Sequence, residues 1–246
     1  MNARTATQVE GMKAAGRAVR AAFDAMFAAC RPGITTAALD ALGAAELARQ
    51  GARSAPQMYY DFPGATCISV NHQAAHGIPG DLVLQDGDMV NIDVSANLAG
   101  FVADMGESFV VGKSKPEQQR ICTAVREAVL AAIAKVRSGR SLNVIGKAVQ
   151  AVADREGDTI VENLGSHGVG ASIHEEPSYV PMDNPEEKRT LARGMVLTIE
   201  PFFSTGVPWV HEEEDGWTLS VPAGNLVAQF EHTIVVTDRG ALVVTQ

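Results

Sequence analysis

Four acidic residues sit where acids are poorly suited. Asp93 lies in Met89-Val90-Asn91-Ile92-Asp93-Val94-Ser95, where Val90, Ile92 and Val94 alternate with polar residues at the period of a half-buried strand. Asn97-Leu98-Ala99-Gly100 reads as a turn, and the returning Phe101-Val102-Ala103-Asp104 can bring Asp104 beside Asp93. Aspartate is a poor strand residue. Two carboxylates brought together repel and push one pKa up unless a cation lies between them. Alone, the pair also fits two solvated aspartates on a surface hairpin. Glu200 ends the run Val196-Leu197-Thr198-Ile199, and Glu231 interrupts the otherwise apolar and β-branched Phe230 to Ile234. Four converging carboxylates without cations would be strongly unstable. A pair of divalent metal ions resolves the conflict, and an oxygen-rich site with one or two imidazoles suits Mn, Fe, Co or Zn. His167, inside the glycine-rich turn Gly165-Ser166-His167-Gly168-Val169-Gly170, is the imidazole at hand.

These strands need helices to back them. Thr7-Gln8-Val9-Glu10 reads as a capping box opening a first helix, with Val9, Met12, Gly16, Val19, Phe23 and Met26 at helical spacing and Arg31-Pro32-Gly33 as its stop. A second helix runs from Thr35 or Thr36 to Gly51, with Leu39, Leu42 and Leu47 as its core face. Residues 52–64 read as irregular and aromatic. Ser114, Pro116 and Glu117 open a third helix carrying the stripe Ile121, Val125, Val129, Ile133 and Val136 as far as Gly139. A fourth spans Ser141 to about Gly157. Strands are expected over 194–203 and 226–237.

The helical segments repeat. Arg31-Pro32-Gly33-Ile34-Thr35 aligns with Arg137-Ser138-Gly139-Arg140-Ser141, Leu39 with Ile145, and Gly51 with Gly157; the strand ending at Asp93 then aligns with the one ending at Glu200. The period is too long for a solenoid. It predicts a single catalytic domain, 1–246, of two related halves at roughly 7–111 and 114–246. The expected class is α+β: two pseudo-symmetric halves, each with antiparallel sheet and flanking helices, and a cleft along the pseudo-axis.

Bulk properties limit the partners. The net charge of −9 argues against a nucleic-acid binder, which would carry a basic patch. Cys30, Cys67 and Cys122 are odd in number and unpaired in spacing, so a disulfide framework is not expected and a reducing compartment is. No signal-peptide pattern or apolar run of membrane-spanning length is visible. The expectation is a cytoplasmic protein.

In sequence the chain resembles the type I methionine aminopeptidases. The resemblance rests on Phe62-Pro63, Cys67-Ile68-Ser69-Val70-Asn71, His76-Gly77-Ile78-Pro79, Asp86 to Asp93, Asp104, His167-Gly168-Val169-Gly170, His174-Glu175-Glu176-Pro177, Thr198-Ile199-Glu200-Pro201, Asp215-Gly216-Trp217-Thr218 and Gln229-Phe230-Glu231-His232-Thr233, in that order. It implies the pita-bread fold and a dinuclear site ligated by Asp93, Asp104, His167, Glu200 and Glu231, with Asp104 and Glu231 bridging. It implies that Glu200 takes the proton of the attacking water, that His174 hydrogen-bonds the developing oxyanion, and that His76 hydrogen-bonds the nitrogen beside the cleaved bond. Tyr59, Phe62, Cys67 and Trp217 would line the methionine pocket. A small second residue would be preferred. The implied partners are the N-termini of nascent polypeptides, with the ribosome a further candidate; a monomer without membrane or nucleic-acid specificity is expected.

Some residues depart from the family pattern. Ala75 stands where a cysteine is frequent, and Met105 replaces a threonine after Asp104, which predicts a lost hydrogen bond near that carboxylate. Ile173 replaces a bulkier residue before His174 and is expected to reshape the pocket wall. The run His211-Glu212-Glu213-Glu214-Asp215 reads as a solvated loop. The rival readings are an Xaa-Pro aminopeptidase, which generally adds a large N-terminal domain, and a non-catalytic pita-bread binding protein, which would lose ligands that are all present here.

Overall fold

Two helix pairs, each laid against antiparallel sheet, organise the chain; the computed structural model describes residues 1–246. In the first half, α1 (Ala6–Ala29) packs on α2 (Thr36–Arg49) and on the long hairpin Met89–Leu98 and Phe101–Val110. Ala99 and Gly100 both take positive φ and make its two-residue turn. Cys67–Val70 and Arg53–Ser54 pair with the Met89–Leu98 strand. A short helix, α3 (Ala55–Tyr60), follows Arg53–Ser54. In the second half, α4 (Pro116–Ile133) and α5 (Asn143–Glu156) pack on one another, and α4 also packs on the strand Val227–Gln229. A five-stranded sheet runs Gly240–Val243, His232–Thr237, Val196–Ile199, Ser166–Gly168, Glu175–Tyr179.

Each helix pair has its own core. Met12, Val19, Phe23 and Met26 of α1 are buried with Ile92, Val94 and Met105. Ile121, Val125 and Val129 of α4 and Ile145 and Val149 of α5 are buried with Leu197, Ile199 and Ile234. Each such side chain contributes about 1.5–3 kcal/mol on leaving water.

The two halves match in detail. Gly33 N–H donates to Leu84 O and Leu84 N–H to Ile34 O; Gly139 N–H likewise donates to Leu191 O and Leu191 N–H to Arg140 O. Gly51 and Gly157, each just past a helix, have φ of 73° and 74°. Leu39 and Ile145 are both fully buried.

Several elements differ from the sequence reading. The cap of α1 is Thr5, which exchanges hydrogen bonds with Gln8, so the box begins two residues before Thr7. At α4 the capping partner is Gln118, whose Oε1 accepts from Lys115 N–H at 2.9 Å, in place of Ser114 and Glu117. This helix ends at Ile133, although Val136 remains buried beyond it. Leu42 is exposed, on the outer side of α2. The expected strand 194–203 is interrupted at Glu200-Pro201, where proline has no N–H to pair. That over 226–237 is interrupted at Phe230-Glu231, where the backbone leaves its own sheet: Glu231 N–H donates to Gly106 O in the first half at 2.8 Å. These two breaks are the places that carry glutamates. The acidic run 211–215 begins with the short exposed strand His211–Glu212, paired with Leu219–Ser220.

Candidate metal centre and catalytic cavity

The hairpin register sets the first pair of carboxylates. Asp93 lies opposite Gly106 and Ser95 opposite Asp104, so Asp93 and Asp104 are diagonal neighbours on one face. Burial, and then the Asp93 and Glu200 carboxylates beside it, raise Asp104 well above the usual carboxylate range. Met105 projects from the opposite face into the α1 core. A threonine there would not reach the carboxylates, so the expected loss of a hydrogen bond at this position does not arise. The hydroxyl that serves Asp104 is Thr233, which accepts from Asp104 N–H at 2.9 Å and donates to Asp104 O at 2.7 Å.

The second half supplies the remaining candidate ligands. His167 Nδ1 lies 3.0 Å from Gly168 O, which holds the proton on Nδ1 and leaves Nε2 facing the acids. Nε2 is 3.1 Å from Glu200 Oε1 and 3.9 Å from Asp104 Oδ2. Glu200 Oε1 also accepts from Thr198 Oγ1 at 2.6 Å, and Glu200 N–H donates to Ser166 Oγ. One ligating atom each from Asp104, His167 and Glu231 falls within 4.8 Å of the others.

The electrostatics are those of a buried cluster of acidic groups. Burial first, then Glu200, raises Asp93 to about 7. Burial and the neighbouring carboxylates also raise Asp104 and Glu231. Burial acts to lower His167, but Glu200, Gly168 O and Asp93 together outweigh it and hold the imidazole above its ordinary value. Asp104 Oδ1 and Glu231 Oε1 are buried without any hydrogen-bond partner. Orphaned buried carboxylate oxygens are costly unless something positive meets them. The donor set of four carboxylates and one neutral imidazole nitrogen therefore fits divalent transition-metal ions.

Two cavities meet at this cluster. One, of about 350 Å³, runs from His76, Asp93, Asp104, His167, His174 and Glu200 to an aromatic and apolar end of Tyr60, Phe62, Cys67, Ile173 and Trp217. The Phe62 and Trp217 rings meet edge to face with centroids 5.1 Å apart. Trp217 is held by Asp215, whose carboxylate accepts the N–H groups of Trp217 and Thr218. The other, of about 550 Å³, leads away past Asn163, Gly165, Glu176 and Phe202. A side chain can thus be enclosed on one side of the cluster while a chain continues out of the other.

Nine of the sequence candidates line the first cavity, and Glu231 lies beneath it at 1% exposure. Tyr59 is the exception: its hydroxyl donates to Ala171 O and accepts from Asn97 Nδ2, outside the cavity lining. Its neighbour Tyr60 takes that place, because α3 rotates successive residues by about 100°. Tyr60 Oη is also 2.5 Å from His174 Nδ1. His76 and His174 are reached from the cavity yet walled by protein, and burial lowers both, His174 to about 4. Both are neutral near pH 7. Ile173 forms part of the apolar wall. Gln229 and Thr233 were missed as participants, although a glutamine beginning an apolar strand was a visible signal for the first.

Comparisons with known proteins agree with this site. The profile of metallopeptidase family M24 matches residues 10–238. The chain is similar to the methionine aminopeptidase of Staphylococcus epidermidis, 43% identical over 249 aligned positions covering 100% of this chain and 99% of that protein. It superposes on the crystal structure of methionine aminopeptidase from Rickettsia prowazekii with a TM-score of 0.95 at 33% identity, covering 100% of both chains. It is also similar in fold to the prolidase of Pyrococcus furiosus, with a TM-score of 0.77 at 23% identity, but covers only 64% of that longer chain.

Proposed function

The chain belongs to metallopeptidase family M24 and has its pita-bread fold, and on that premise we infer that it is an aminopeptidase removing the N-terminal methionine of polypeptides at the cavity described above. The observation that carries this reading is the joining of an enclosed apolar end to a cluster of four carboxylates and three histidines. Similarity over the whole chain to methionine aminopeptidases supports it.

We assign Asp93, Asp104, His167, Glu200 and Glu231 as the residues that would hold two divalent ions; Co, Mn, Fe and Zn all suit the donor set. Such ions lower the pKa of a water and polarise a carbonyl. The protein's own groups do the rest. Phe62, Cys67, Ile173, Trp217 and Tyr60 enclose the methionine side chain. The carboxylates attract the free α-amine, which restricts cleavage to the first residue. Glu200, oriented by Thr198 and Ser166, accepts the proton of the attacking water and returns it to the departing nitrogen. Tyr60 occupies Nδ1 of His174, so Nε2–H is free to donate to the carbonyl oxygen as charge develops on it. His76, neutral and at the junction of the two cavities, holds the nitrogen beside the cleaved bond. A small second residue suits this junction, where both histidines crowd the chain.

We further read 7–111 and 114–246 as related halves of one catalytic domain, which the matched Gly33–Leu84 and Gly139–Leu191 hydrogen bonds support. The substrates would be nascent chains in the cytoplasm, a place that three free thiols suit. A monomer that meets its substrates near the ribosome is the simplest arrangement.

Metal-stripped protein offered Met-Ala-Ser, Met-Lys-Ser and Ala-Pro-Ala, before and after addition of Mn, Fe(II), Co or Zn, tests the reading. Metal-dependent release of methionine from Met-Ala-Ser alone is expected. Cleavage of Ala-Pro-Ala instead would move the activity to the proline-specific branch. Silence with every metal would revive a binding role.

A further inference from the structure

Gln229 stands at the centre of the cluster without being a ligand candidate. It is 1% exposed. Its Nε2 lies 3.2 Å from Glu231 Oε2, 3.3 Å from Asp93 Oδ2 and 3.5 Å from Glu200 Oε2. One amide nitrogen therefore faces three of the four carboxylates. The other end is clamped: Asn91 Nδ2 donates to Gln229 Oε1 at 2.8 Å and to Ser108 Oγ at 3.2 Å, and Gln229 N–H donates to Ser108 Oγ at 2.9 Å. Space for the amide exists because residue 106 is glycine. A Cβ there would lie 2.3 Å from Gln229 Oε1. Asn91, Gly106 and Ser108 belong to the hairpin of the first half, and Gln229 to the second.

We propose that Gln229 is a positioning residue of the metal centre: clamped by Asn91 over Gly106, its carboxamide orients Asp93, Glu200 and Glu231 to receive the ions. The inference rests on the metallopeptidase reading above and adds a role to it. A carboxamide suits the task because it donates without carrying charge. It holds mutually repelling carboxylates in place and leaves their negative charge for the cations. A lysine or arginine here would neutralise the site and occupy the space of an ion. The clamp also fixes which way round the amide sits. With Asn91 Nδ2 pointing at Oε1, only Nε2 can face the acids. Because clamp and amide come from different halves, the same contact holds the two sets of ligands in register.

The test is a titration of metal-free protein with Co(II), followed by calorimetry and by the visible absorption of the bound ion, for wild type, Gln229→Met and Asn91→Ala. Methionine keeps the volume and removes the donor; the alanine leaves Gln229 in place but frees it to turn. Circular dichroism reports folding, and either variant alone suffices if the other fails to fold. Gln229→Met is expected to bind Co(II) about 10–100-fold more weakly, Asn91→Ala less severely, and both with altered absorption bands. A residue that only fills space would lower thermal stability and leave the bands of the folded protein unchanged. Wild-type affinity and bands in the folded variants would overturn the proposal. Failure of the wild type itself to bind Co(II) would overturn the metal-centre reading, and this inference with it.

Discussion

Tyr60 Oη lies 2.5 Å from Nδ1 of His174, with the two rings tilted and their centroids 5.4 Å apart. Burial raises the Tyr60 phenol above its ordinary value, so it stays protonated at neutral pH, and we assign it as the donor to a neutral His174 Nδ1. The His174 proton is thereby confined to Nε2, the nitrogen free to face the cavity. Tyr60→Phe is expected to lower kcat about tenfold with KM little changed, because it loosens the tautomer and keeps the donor. His174→Ala removes the donor and should cost roughly 10²–10³. Steady-state kinetics on Met-Ala-Ser distinguishes the two, and a Tyr60→Phe enzyme with wild-type kcat would remove the tautomer argument.

The proposed ligand set is legible in the sequence because each acid breaks a pattern: Asp93 and Asp104 on alternating strands, Glu200 and Glu231 at the ends of apolar runs. What the pattern could not give was the direction of neighbours within short elements. Helix α3 has six residues, a proline among them, and no periodicity long enough to tell which of Tyr59 and Tyr60 lines the cavity. Met105 was read against Asp104 by adjacency, although neighbours on a strand face opposite ways and Met105 lies in the α1 core. Gln229 and Thr233 act across the interface between halves, a relationship that no local spacing encodes.

Thr233 fastens the second half to the backbone of Asp104 with two hydrogen bonds, both inaccessible to water. Its own N–H donates to Thr245 Oγ1, which also pairs with His232 Nδ1. Thr233→Val keeps the shape and strands Asp104 N–H and O without partners. A loss of about 2 kcal/mol is expected, or a fall of roughly 4–8 °C in thermal midpoint for a domain of this size. Metal affinity should fall as well, because the displaced backbone carries a ligand. A stability loss with unchanged Co(II) affinity would show that Thr233 joins the halves without placing Asp104.

Arg120 and Asp158 provide the contrast of a pair remote from the site. The guanidinium donates to both Asp158 oxygens at 2.8 and 2.7 Å, and the Asp158 side chain is fully buried while that of Arg120 is 35% exposed. Arg120→Ala leaves a buried carboxylate unpaired. Exposure of the arginine discounts the usual cost of breaking a buried pair, giving about 2 kcal/mol. Thermal unfolding should register it, whereas kcat and metal affinity should not change. A parallel fall in kcat would mean that the α4–α5 pair communicates with the cavity.

On the proposed ligand assignment metal binding displaces protons, because Asp93, Asp104 and Glu231 are all shifted toward their protonated forms. Asp93 titrates at about 7, and burial among like charges raises Asp104 and Glu231 too. All must lose their protons to coordinate. At pH 7 more than one proton should therefore be released per protein on saturation with Co(II) or Mn(II). Calorimetry in buffers of different ionisation enthalpy measures the number, and the apparent affinity should rise with pH. The same shifts fix the stability of the metal-free protein. A carboxyl raised in the folded state binds protons there that the unfolded chain has released, so its contribution to stability falls as pH rises from its ordinary value through its folded one. His76 and His174, lowered by burial, act oppositely, but only below their unfolded value of about 6.5. Between pH 6.5 and 7.5 the carboxyls act without that opposition, and His167, raised by Glu200, acts in their direction. The thermal midpoint of the metal-free protein should fall across this interval, and saturating Co(II) or Mn(II) should abolish the fall. A midpoint that rises with pH, or release of fewer than one proton, would mean that Asp93, Asp104 and Glu231 are already ionised in the metal-free protein.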